Sequence, residues 1–119
     1  MTLSQEFQLI VIQPQGRLDL QNSKTLKEQL VGSMARRYNF YVIDLGQVDF
    51  IDSSGLITLV TGLKTARQNG CKLVLCNVQA PVRLIFELTQ LDSAFEILES
   101  YDAALKKFNA WPGFQKVGA

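Results

Sequence analysis

Apolar residues along this chain fall into short runs of the kind that build strands. Between those runs they recur every three or four positions. Residues Phe7 to Ile12 are rich in aliphatic and β-branched side chains and stop before Pro14, which predicts a first strand. Gln13-Pro14-Gln15-Gly16 reads as a turn and Arg17-Leu18-Asp19-Leu20 as a returning strand, so the chain is expected to open with a hairpin. Asn22 and Ser23 are candidate caps for a first helix. Leu26, Leu30 and Met34 form its apolar face, while Lys24, Lys27, Glu28 and Gln29 lie off that face. Arg36 and Arg37 suit its C-terminal end.

Phe40-Tyr41-Val42-Ile43-Asp44-Leu45 is almost continuously apolar, as expected of a central strand covered on both faces. Residues 46 to 55 read as a loop. A second helix is expected from about Leu56 to Gln68, with Leu56, Leu59, Val60 and Leu63 inward and Asn69-Gly70 closing it. Lys72 to Cys76 reads as a further strand, Pro81 opens a third helix with Val82, Ile85 and Phe86 inward, and Phe95 to Leu98 reads as a last strand. Ser100 caps a final helix carrying Tyr101, Ala104, Leu105 and Phe108. The alternation predicts an α/β fold with a mixed, mostly parallel sheet of about five strands and about four helices. Residues 1–110 form the expected domain. Residues 111–119 lack a period and read as a tail, either disordered or docked through Trp111 and Phe114.

Charge changes the picture mainly by exclusion. Twelve basic and eleven acidic residues leave a net charge of +1 with no basic stripe, so nucleic-acid binding has no support. The apolar runs are strand-length, and the start of the chain has no signal-peptide pattern, so no membrane association is expected and a cytoplasmic location is. The chain contains no histidine, which rules out a Ser-His-Asp triad, a Cys-His pair and a histidine-ligated zinc. Cys71 and Cys76 read as a loop and a strand residue rather than a metal or redox pair. No metal and no cofactor are expected. A carboxylate pair such as Asp19 and Asp52 is the acid–base set that remains, and acidic residues at turns and caps are structural first.

The stretch with chemical content is Val48-Asp49-Phe50-Ile51-Asp52-Ser53-Ser54-Gly55-Leu56. Asp52 or Ser53 is a candidate N-cap, and Gly55 permits close backbone approach. Ser53 and Ser54 stand at a helix N-terminus, where unpaired N–H groups and the helix dipole favour an anion. A phosphate there would add nearly two negative charges to a partly apolar surface, acting on binding more than on folding.

Asp52-Ser53-Ser54-Gly55-Leu56 after an apolar strand resembles the signature of the STAS domain, and in particular that of bacterial anti-sigma factor antagonists. Gly16-Arg17-Leu18-Asp19, Asp44 to Ile51, Leu88-Thr89-Gln90-Leu91-Asp92 and Phe95-Glu96-Ile97 agree in order, so the likeness covers roughly residues 5 to 108. The resemblance implies a STAS-like sandwich and a non-enzymatic partner-switching module. An anti-sigma factor with serine kinase activity would phosphorylate Ser54, with Ser53 the second candidate. The unphosphorylated chain would bind that kinase, and a serine phosphatase of the metal-dependent PP2C-like class would restore it. Asp19, Asp52, Ser53, Gly55, Leu56 and Ile57 would belong to the partner-binding surface. Two positions depart from the pattern: Ile57 and Gln90 stand where such antagonists often carry glycine. The alternative within the same family is a scaffold or small-ligand sensor without sigma-factor output, with Trp111 and Phe114 offering an aromatic surface for self-association, a homodimer included.

Overall fold

The computed structural model describes residues 8–36 and 38–111. Phe7 of the first expected strand, Arg37 and the tail from Pro112 onward, with Phe114, lie outside the described residues. In chain order the elements are β1 (Leu9–Ile12), β2 (Gly16–Leu18), α1 (Leu20–Met34), β3 (Phe40–Asp44), β4 (Val48–Ile51), α2 (Ser53–Gln68), β5 (Lys72–Cys76), α3 (Ala80–Leu88), β6 (Glu96–Leu98) and α4 (Tyr101–Ala110). A short 3-10 turn, Leu91–Ser93, joins α3 to β6. Strands β1, β3, β5 and β6 form one parallel sheet in the order β1-β3-β5-β6, and β2 pairs in parallel with β4. The expected α/β architecture with four helices is present, its strands divided four and two.

The alternation inside the central strands decides the layers. Tyr41, Ile43, Leu73 and Leu75 join Leu26, Leu30, Leu59, Leu63, Val82 and Phe86 in the larger core. Phe40, Val42, Val74 and Cys76 point the other way and pack with Ala104 of α4, covered by Phe108 and Trp111. Both faces are covered, which is why these strands read as continuous apolar runs rather than alternating ones. Trp111 docks: its ring stands edge-on to Phe40 with centroids 5.7 Å apart, next to Phe108 at 5.3 Å.

Two expectations are corrected. The opening hairpin is absent among the described residues: β1 and β2 do not pair with each other, β1 lying in parallel on β3 and β2 on β4. Ile12 pairs with Ile43 and Gly16 with Val48, so the segment β1–β2 travels alongside β3–β4 instead of folding back. Pro14 breaks the ladder, and Gly16, at φ +78°, turns the chain aside while its N–H donates to Gln47 O at 2.7 Å. Turn residues signal that a strand stops, not which way the chain leaves. The loop expected over residues 46 to 55 contains β4, whose burial runs inward, outward, outward, inward and so gave no alternating signal.

The first three helices begin earlier than expected, α4 begins after Ser100 as expected, and carboxylates cap α1 and α2. Asp19, not Asn22 or Ser23, caps α1, its Oδ1 accepting the N–H of Asn22 at 3.1 Å. Asp52 caps α2 and Ser100 caps α4. At the far end of α2, Gly70 is left-handed, with the N–H of Gly70 on Arg67 O and that of Cys71 on Ala66 O, the paired bonds of a Schellman stop.

Candidate functional site

The parallel pairing of β2 with β4 builds the site. Leu18 and Ile51 are register partners, and the next residue in each chain, Asp19 or Asp52, is the N-cap of the helix that follows. Two strands that end level therefore launch two helices side by side, with both caps and both first turns at one end of the molecule. The N–H of Asp52 donates to Leu18 O at 3.3 Å and ties the two junctions together.

Gly55 lies inside this joint. A methyl group on it would stand 2.5 Å from Leu18 O and 2.8 Å from Ile51 Cγ1, closer than atoms can pack. The glycine lets α2 approach the backbone of β2, and it is buried. Gly55 thus supports the surface from within. Leu56 also turns partly inward, packing against the larger core. Ile57 is 64% exposed.

Ser53 is exposed and Ser54 half-buried, both in the first turn of α2. Asp52 Oδ1 accepts the N–H of Ser54 at 2.9 Å and that of Gly55 at 3.2 Å. The N–H groups expected to be free for an anion are therefore partly taken by a carboxylate, and the site already carries negative charge where an incoming anion would go. Asp19 and Asp52, the candidate acid–base pair, are each engaged in capping.

The structure adds residues that sequence reasoning passed over. Leu20 is 67% exposed at the first position of α1, across from Ile57. Lys24 and Lys27 line one groove with Leu20, Ser54 and Ile57. Arg17 lies over the Phe50 ring, 4.1 Å from its centroid, and holds a partly exposed aromatic beside the site. An apolar residue straight after a cap was the signal for Leu20. The lysines had none, because an exposed lysine on a helix is the commonest of features.

The chain belongs to the STAS domain family, whose model matches residues 2–104. It is 33% identical over 94 residues, 79% of this chain and 81% of the relative, to BtrV of Bordetella bronchiseptica, named as a candidate anti-sigma factor antagonist. It is 28% identical over 95 residues, 79% of each chain, to the anti-sigma F factor antagonist of Paenibacillus polymyxa. The fold matches that of the unphosphorylated anti-sigma factor antagonist SpoIIAA with a TM-score of 0.76, covering 88% of this chain and 91% of that one at 16% identity.

Proposed function

We propose that this chain is an anti-sigma factor antagonist that binds an anti-sigma factor with serine kinase activity through the paired first turns of α1 and α2. Phosphorylation of Ser54 releases it, and a PP2C-like serine phosphatase resets it. The carrying observation is the setting of Ser54: a half-buried serine in the first turn of α2, flanked by exposed Leu20 and Ile57. Covering those side chains favours association. A phosphate between them puts a hydrated dianion into the same contact, with strongly unfavourable desolvation. The names of the relatives support this reading. It places the protein in the cytoplasm as a regulator rather than an enzyme, with residues 1–110 as its domain. Among the described residues no helix is long and apolar enough to cross a membrane.

The test is binding of the cognate kinase, by calorimetry, to the unmodified protein, to Ser54→Asp and to protein phosphorylated in vitro, with phosphate mapped by mass spectrometry. Phosphate on Ser54 and a loss of affinity of tenfold or more in both altered forms, with unchanged circular dichroism, is the expected result. Equal affinity of all three forms would sink the switch. Phosphate on Ser53 alone would move it one residue.

A further inference from the structure

We propose that the groove between the first turns of α1 and α2 is an intramolecular receiving site for the phosphate of Ser54, with Lys24 and Lys27 as its counter-charges. The inference rests on the reading of Ser54 as phosphoacceptor and says where the phosphate goes.

A helix N-terminus ordinarily receives an anion through free N–H groups. Here the N–H groups of Ser54 and Gly55 both donate to Asp52 Oδ1. A phosphate on Ser54 therefore arrives beside the carboxylate of Asp52, with that of Asp19 capping the neighbouring helix. Two like charges so placed repel a dianion and raise its affinity for protons. The compensation has to come from elsewhere, and α1 supplies it.

Ser54 shares a groove of about 290 Å³ with Ser23, Lys24, Lys27, Ile57 and Thr58. That is far more room than one water, about 30 Å³, needs. Lys24 and Lys27 are three positions apart and so project from one side of α1. Both are exposed, and the ion pairs among the described residues, Lys72–Glu96 and Lys107–Glu96, involve neither. Ser23 gives an independent sign. It is only 4% exposed, lines this groove, and its Oγ has no hydrogen-bond partner. A buried hydroxyl without a partner is uncommon, and a phosphate oxygen is an acceptor that would satisfy it. The first turn of α2 adds no acidic side chain of its own. Lys24 also lines the adjoining groove with Asp19 and Asp52, whereas of these two grooves Lys27 lines only that of Ser54, and the phosphate turns toward the two lysines. The switch then works twice, by adding charge to the surface and by drawing two lysines away from the partner.

The test uses protein with phosphoserine placed at position 54 during synthesis, so no kinase is needed and the result is independent of whether the switch operates in the host. A 31P NMR titration reads the second ionisation of the phosphate, which lies near pH 6 without neighbours. The expected value is below that, and Lys24→Ala/Lys27→Ala should raise it by about half a unit or more, roughly a threefold change in proton affinity. Both lysines are exposed, so folding is not at risk, and Lys27→Gln alone should give a smaller rise in the same direction. Ser23→Ala should also raise it. A value at or above 6 in the unsubstituted protein, or one that the double substitution leaves in place, overturns the receiving site. The switch itself is judged separately, by kinase binding.

Discussion

At Gly55 the chain has no room for even a methyl group, because Leu18 O and Ile51 Cγ1 occupy the space. Gly55→Ala should therefore push α2 off β2 and cost about 1–3 kcal/mol, as overpacked sites do. The urea midpoint checks this, and a midpoint at the wild-type value would show that the joint yields freely. Gln90 presents the opposite case. It holds a left-handed conformation, φ 62° and ψ 18°, where a side chain is disfavoured and glycine is not. Gln90→Gly should raise stability by about 0.5–1 kcal/mol, the relief of backbone strain exceeding the entropy glycine adds to the unfolded chain. A fall in stability would mean that the glutamine side chain contributes a contact of its own. The departure from the family pattern at Gln90 is thus a local backbone matter, whereas Ile57 alters the exposed surface.

Among the elements, the last strand and last helix are clipped together by one carboxylate. Glu96 on β6 accepts from Lys72 of β5 at 2.7 Å and from Lys107 of α4 at 2.8 Å. Burial opposes its ionisation, but the bonds from Lys107 and Lys72 outweigh burial and hold its pKa below the ordinary value. A carboxyl with a lowered folded pKa stabilises above its unfolded pKa, near 4.3, and that contribution is lost as pH falls through the folded one. Glu96→Gln should therefore remove part of the acid-side loss of stability, read from thermal unfolding between about pH 5 and 3. A pH dependence identical to the unsubstituted protein would assign the acid sensitivity to other carboxylates. Elements also decide what Asp19 and Asp52 do, since each caps its own helix and their closeness follows from strands that end level.

Over the whole molecule, the two faces of the sheet are unequal. Three helices contribute to the larger core, while α4 with Trp111 covers the other face. Cys76 lies under that thinner layer, fully buried, with its thiol pKa pushed up to about 11 by burial first and by the nearby charge of Asp44 second. It reports on α4. In the native protein alkylation should reach the half-exposed Cys71 before Cys76. Phe108→Ala, which removes an edge-on contact with Phe40, should loosen the layer and speed the labelling of Cys76 at fixed pH. If Cys76 labels at the same rate in both proteins, α4 opens independently of that ring. Trp111 packs its ring edge-on against Phe40 while staying partly exposed.

The sequence by itself determined the class of fold, the identity of the central strands, the four helices and the serine pair at a helix start. Each of these rests on local signals: runs of apolar residues, helical spacing, and caps such as Asp52 and Ser100. The partner of β2, the existence of β4, the cap of α1 and the enclosure of Gly55 were decided by the tertiary structure. Their reason is common to all four. A three-residue strand such as β2 or a four-residue strand such as β4 is stabilised by its partner's backbone, not by its own pattern. Its sense, and what its neighbours bury, exist only once that partner is in place. The company of Ser54 was settled the same way: Lys24, Lys27 and Ser23 stand about thirty residues away in sequence and reach it only because two parallel strands end side by side.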